Sequence, residues 1–175
     1  MFSLLFISED AYILQTFQEK IEYFNTISTV IKKGCPNCKT QKRLIISSKQ
    51  LCLDLAKHGC IPNKSHHTYF PDIPKSLFNH FIRGVFDGDG SVYKVNSNGP
   101  GFSIMGNKDL IVRIQEVLVA ECELNKTKLS VSHRCKENIV QFSYGGRKNC
   151  IKFRDWLYKD ATVYLHRKYN RFYAL

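Results

Sequence analysis

A chain of 175 residues, 43% hydrophobic and 13% aromatic, can bury one good core or two small ones and is too apolar to be a disordered tail. Its 26 Lys and Arg against 15 Asp and Glu leave a formal net charge of +11, scattered along the whole length. That distribution excludes a lone basic tail and favours a folded surface facing a polyanion, with DNA or RNA foremost. Apolar runs such as Phe2 to Ile7 are far too short to span a bilayer, the first residues do not show the pattern expected of a secretory signal, and seven cysteines without a framework pattern suggest reduced thiols. A soluble, intracellular protein with no membrane partner is expected.

Phe2 to Ser8 reads as a strand. Ser8-Glu9-Asp10 then caps a helix with Tyr12, Ile13, Phe17, Ile21 and Phe24 at helical spacing. Thr26 to Lys33 and Lys42 to Ser47 predict two strands around a Gly34-Cys35-Pro36-Asn37-Cys38 turn. Ser47 or Ser48 caps a further helix through Leu51, Leu55 and Lys57, which stops at Gly59. After a connection containing Pro62, Pro71 and Pro74, Ser76 opens an apolar helix that ends in Ile82-Arg83-Gly84-Val85-Phe86-Asp87-Gly88-Asp89-Gly90.

That helix end is the most informative stretch of the chain. A helix C-terminus carries partial negative charge from unpaired carbonyls, so carboxylates there are locally unfavourable. Asp87 and Asp89 together point to a positive group held at this end, a divalent metal foremost. Gly84 and Gly88 lie four apart and strip one helix face of side chains.

The earlier order then returns. Ser91 to Val95 and Phe102 to Met105 predict a hairpin, and Asn107 caps a helix with Leu110, Ile111, Ile114, Val117 and Leu118 on its apolar face. Lys126 to Arg134 and Asn138 to Tyr144 predict two strands, a helix follows from Arg147 to Tyr158, and a basic segment from Tyr164 to Phe172 closes the chain. Ser48-Lys49-Gln50-Leu51-Cys52 echoes Gly146-Arg147-Lys148-Asn149-Cys150, so an αββαββα unit repeats after roughly 100 residues. On that repeat the counterpart of the acidic helix would precede Met1.

These residues resemble the LAGLIDADG homing endonucleases. Ile82 to Gly90 matches that nine-residue motif from end to end, in the form typical of its second copy, and Leu165-His166-Arg167-Lys168-Tyr169 and the segment around Pro62 and Lys64 are also similar to the family. The resemblance implies an α+β fold of tandem αββαββα units with curved antiparallel sheets, the first unit truncated at its N-terminus. The expected domains are 1–74, a truncated half-domain, and 75–175, carrying the complete motif. It further implies that the sheets enter the DNA major groove and that Asp89, with the Gly88 carbonyl beside it, binds Mg²⁺ or another divalent cation. Asp87 would buttress the helix end. Lys168 and Lys64 would stand near the scissile phosphates, and Gly84 and Gly88 would form the helix interface with a second identical chain or a complementing fragment. The implied function is a site-specific, intron-encoded DNA endonuclease, with a non-cleaving DNA-binding protein or an RNA-splicing maturase as the alternative.

Strand alternation supplies candidates for DNA contact. Lys128, Ser130, Ser132 and Arg134 share one face opposite Leu129 and Val131, and Gln141 and Ser143 lie opposite Val140, Phe142 and Tyr144. Lys94 joins them, with Lys32, Lys33, Lys42 and Arg43 contributing from the first unit. Two other signals are weaker. Asp87-Gly88-Asp89 fails as a calcium loop, since Val92 stands where glycine is needed. Cys35 and Cys38 are either half of a structural zinc site or a tight turn with free thiols. Arg83, beside Gly84, is expected to point outward to DNA or to an acid.

Overall fold

A computed structural model describes residues 3–31, 40–61, 69–95, 99–131 and 138–174. Lys32, Lys33, Cys35, Cys38, Lys64, Ser132 and Arg134 lie outside the described residues. The chain divides into two compact units, Met1–Cys60 and Ile61–Leu175. The division falls after Cys60, rather than between 74 and 75, because Phe70 and Ile73 already pack against the second unit's core.

The first unit runs β1 (Leu4–Ser8), α1 (Ala11–Ile21), β2 (Ser28–Val30), β3 (Gln41–Ile46) and α2 (Lys49–Lys57). Its sheet is antiparallel, in the order β1-β3-β2. Leu14 of α1 is buried with Leu44 and Ile46 of β3, and Leu4, Phe6 and Phe17 close over them. Ser48 caps α2 by accepting the Leu51 N–H at 3.2 Å. Buried Gln18 donates to the Asn25 carbonyl at 2.6 Å, and Asn25 donates to the Ile45 carbonyl at 3.0 Å. These two bonds tie the loop after α1 to the sheet.

The second unit runs α3 (Phe78–Asp89), entered through a 3₁₀ turn at Lys75–Leu77, then β4 (Gly90–Val95), β5 (Gly99–Asn107) and α4 (Lys108–Cys122). It continues with β6 (Ser130–Val131), β7 (Ile139–Gly145), α5 (Arg147–Leu157) and α6 (His166–Tyr173). The sheet is antiparallel, in the order β4-β5-β7-β6. The β1-β3-β2 order of the first unit matches β5-β7-β6 of the second, and the helix N-caps Asp10 and Ser48 recur as Asn107 and Gly146, about 100 residues on. The internal repeat is therefore structural as well as sequential.

One face of the second sheet carries Val92, Phe102, Ile104, Val140, Phe142 and Tyr144, all buried under Ile82 and Phe86 of α3, Ile114 of α4, Phe153 of α5 and Phe172 of α6. Phe153 stacks on Phe102 at 4.0 Å between centroids and meets Phe86 edge-on at 5.2 Å. It joins three helices to the sheet, so Phe153→Ala is expected to cost about 4 kcal/mol, read as a shift in the urea midpoint at unchanged slope.

The strand expected over Lys126 to Arg134 begins only at Ser130. Only Ser130 and Val131 pair with β7 among the described residues, and Lys128 lies before the strand. The reason is a competing attachment. Gln115 of α4 donates to the Thr127 carbonyl and hydroxyl at 3.1 and 2.9 Å, and Leu124 is buried, so this segment follows the helix end instead of β7.

Burial pushes the Cys150 thiol up to about 11 and the Cys122 thiol up to about 12. Both are raised above the ordinary thiol value, so the stability they contribute is complete below about pH 9 and is lost as pH rises through about 11. At pH 8 exposed Cys60 should react with a thiol reagent well before Cys122 or Cys150, which should become reactive only on unfolding; mass spectrometry of the labelled peptides reads this directly.

Candidate nucleic-acid interface and acidic helix end

Phe78, Ile82 and Phe86 recur four apart along α3 and bury one face of it. Gly84 and Gly88 therefore face away from the core. Both are exposed, and among the described residues a Cβ on either would meet nothing within 4 Å. Asp89, the last residue of the helix, is exposed.

The positive charge at this helix end is a lysine of the same chain. Lys168 of α6 is buried, and its ammonium donates to the carbonyls of Phe86 at 2.5 Å, Asp87 at 2.8 Å and Gly90 at 2.7 Å. An ammonium has three N–H groups, and three carbonyls take them. A cation at a helix C-terminus is favoured both by the dipole and by the unpaired carbonyls it satisfies. Burial nonetheless lowers the Lys168 pKa to about 8, against the opposing pull of Asp87. The lysine read from the sequence as a phosphate-facing residue is thus committed to the backbone of α3.

Asp87 completes this junction. Its Oδ2 accepts the Leu165 N–H at 3.0 Å, at the start of α6, while its Oδ1 is buried without a partner. Burial raises its pKa, opposed by the Leu165 hydrogen bond and by Lys168. The buttressing position expected for Asp87 is where the fold puts it.

Arg83 does not point outward. It is buried, donating through Nε to the Val163 carbonyl and through Nη1 to the Leu157 carbonyl, both at 3.0 Å, with His80 Nδ1 2.8 Å from Nη2. The long side chain turns away from the glycine face because the segment between α5 and α6 offers carbonyls on the other side. Asn79 adds a bond to the Lys159 carbonyl at 3.1 Å. Arg83 and Asn79 are the positioning residues that sequence reasoning missed; the visible signal was a long cation beside a bare glycine in an otherwise apolar helix.

The helix-free face of the second sheet is set by register. Ser91 lies opposite Ser103, which lies opposite Ser143; Met105 lies opposite Gln141, which lies opposite Ser130. Gln141 Nε2 donates to Ser143 Oγ at 3.2 Å, and Ser130 Oγ donates to the Gln141 carbonyl at 3.2 Å. The expected grouping of Ser130, Gln141 and Ser143 is thus one surface, which Ser91 and Tyr93 extend, while Ser103 between Ser91 and Ser143 is buried. Lys94 does not share it. Two residues from Val92, whose side chain is buried, exposed Lys94 shares that residue's face and belongs to the helix side at the strand's far end.

In the first unit the two basic candidates of β3 separate. Lys42 lies on the side of Leu44 and Ile46, under α1, and its Nζ donates to Thr29 Oγ1 at 2.9 Å. Arg43 faces the open side with Ile45, and its Nε donates to Ser28 Oγ at 3.1 Å. Consecutive residues on a strand cannot both face one groove. No group of three or more His, Cys, Asp or Glu suited to a metal occurs among the described residues. No helix is long and apolar enough to cross a membrane among those residues.

No protein-family model matches the chain, and no curated protein does. Solved structures do. The homing endonuclease I-WcaI bound to its DNA recognition sequence is similar over 98% of this chain and 75% of its own, with 13% identity and a TM-score of 0.61. The I-SmaMI LAGLIDADG homing endonuclease bound to cleaved DNA is similar over 97% of this chain and 74% of its own, with 14% identity and a TM-score of 0.56. The N-terminal LAGLIDADG domain of DUF199/WhiA covers 89% of this chain and 70% of its own, with 12% identity and a TM-score of 0.55. With the repeated strand order and the glycine-faced helix ending at Asp89, these matches establish that the chain has the fold of the LAGLIDADG homing endonucleases.

Proposed function

We propose that this protein is a site-specific endonuclease for double-stranded DNA that hydrolyses phosphodiester bonds with a divalent cation, Mg²⁺ foremost. The observation that carries the reading is α3: a helix with one bare glycine face whose final residue, Asp89, presents an exposed carboxylate within a fold shared with DNA-bound endonucleases. The net charge of +11 and the Ser/Gln surface of the second sheet support duplex binding.

The donor chemistry fits the ion. Mg²⁺ takes hard oxygen ligands, commonly uses one or two protein carboxylates and keeps several waters. Asp89, with the Gly88 carbonyl, would hold it, and when bound it would stabilise charge building on the phosphoryl and leaving oxygens. The chain's own contribution is positioning. Lys168 neutralises and orders the last turn of α3, Asp87 anchors α6 to that turn, and Arg83 holds α3 against the segment between α5 and α6. Lys168 thus serves as a positioning residue, while Lys64 is retained as the candidate basic residue near a phosphate. Lys128, Ser130, Gln141, Ser143 and Arg43 are the proposed duplex contacts among the described residues.

One Asp89 serves one strand, so a double-strand cut needs a second motif helix, from an identical chain or a complementing fragment. The glycine face of α3 is the proposed contact. Gly84→Leu should leave the fold's stability within about 1 kcal/mol, since nothing lies within 4 Å to clash. It should abolish self-association by light scattering and double-strand cutting of plasmid DNA with it; a strict monomer that cuts both strands would overturn this arrangement.

A second reading, a non-cleaving DNA-binding protein or splicing maturase, is favoured by one feature: the lysine nearest Asp89 in sequence pattern has all three donors on backbone carbonyls. A plasmid-nicking assay with Mg²⁺ decides between the two. Salt-dependent duplex binding without any metal-dependent nicking supports the second reading.

A further inference from the structure

The helix-free face of the first sheet is chemically unlike that of the second. Register puts Leu5 opposite Ile45 and, two residues along, Ile7 opposite Arg43, which is opposite Ser28. All three aliphatic side chains are exposed, Leu5 by 58%, Ile7 by 48% and Ile45 by 37%, because Leu4, Phe6, Leu44 and Ile46 occupy the side under α1. Alternation on β1 and β3 is thus apolar on both faces, where the second sheet pairs an apolar face with serines and a glutamine.

Resting on the duplex-DNA reading above, we infer that this surface reads thymine C5-methyl groups in the major groove, with Leu5, Ile7 and Ile45 as the specificity-determining residues and Arg43 beside them on a guanine edge. The major groove exposes one apolar group, the thymine methyl, and aliphatic side chains recognise it by contact. Arg43 argues for DNA over a protein occupant. A guanidinium in the middle of an aliphatic patch is costly to bury against an apolar protein surface, whereas guanine O6 and N7 accept its terminal N–H groups; among the described residues its Nε donates to Ser28. Same-face rows on a strand are about 6.8 Å apart, close to two base-pair steps, so the rows can meet alternate pairs. The two sheets would then differ in what they read, the first chiefly methyl groups and the second hydrogen-bonding base edges through Ser91, Gln141 and Ser143.

The test uses the full chain and a randomised duplex library. Sequences enriched on the protein are resynthesised with uracil in place of thymine, which deletes the methyl and leaves every Watson–Crick group, and both forms are titrated by fluorescence anisotropy. Wild type should bind the uracil duplex about fourfold more weakly for each methyl contacted. The Leu5→Ser/Ile45→Ser variant, which keeps Ile7, should lose most of that thymine preference. Equal binding of both forms by wild type, or an undiminished thymine preference in the double variant, overturns the methyl reading and leaves the DNA reading intact. Failure of any duplex to be enriched or bound overturns both.

Discussion

Asp89→Asn is expected to cut metal-dependent plasmid nicking by about a thousandfold, equivalent to about 4 kcal/mol of transition-state stabilisation, while duplex binding in the absence of metal changes by less than about threefold. The substitution keeps the shape of the side chain and removes the charge that would hold the ion. Because Asp89 is exposed and ends a helix, its stability effect should be within about 0.5 kcal/mol, and removing an acid from a helix C-terminus tends to stabilise. Nicking rates at saturating Mg²⁺, together with the thermal midpoint, separate the two effects. Undiminished nicking in the variant would remove the metal role of this carboxylate.

Lys168→Met should behave in the opposite way, with folding lost first. It leaves the carbonyls of Phe86, Asp87 and Gly90 without their donor and Asp87 without its nearest buried cation. A loss of about 4 kcal/mol is expected, a fall of roughly 10–20 °C in thermal midpoint for a unit of this size. Arg does not rescue it, since a planar fork cannot point at three converging carbonyls. A variant of wild-type stability with lost nicking would instead return Lys168 to the phosphate. The pH dependence supplies a further check. The buried amine releases its proton near pH 8 and the unfolded one near 10.5, so between those values the unfolded chain binds more protons. The stability gap between wild type and Lys168→Met should therefore widen as pH rises from about 8 toward 10.5, measured by urea unfolding at several pH values.

Much of this was legible in the residues. The helices show their caps and their periodicity: Ser48 and Asn107 both accept the N–H groups their positions imply, and Leu110, Ile111, Ile114 and Leu118 bury the face expected of them. The alternation of Val140, Phe142 and Tyr144 against Gln141 and Ser143 assigned both faces of β7 correctly, since period-two patterning is strong where one face is buried. The same alternation misled at Lys42 and Lys94, because charge says only that a side chain reaches water. At a strand end, either face offers that.

Asp87 and Asp89 do mark a helix end that holds positive charge, but not by the group their local sequence implied. A positive group is held at the end of α3, and Lys168, some eighty positions away in the chain, supplies it in this unit. Local composition determined the elements, their caps, the repeat and the acid-ended glycine helix, because helix and strand periodicity, capping and turn chemistry act over a few residues. Which carbonyls the long cations Arg83 and Lys168 would satisfy was decided only by tertiary packing, which brings α3 and the segments around α5 and α6 together and leaves backbone acceptors that must be paired once they are buried.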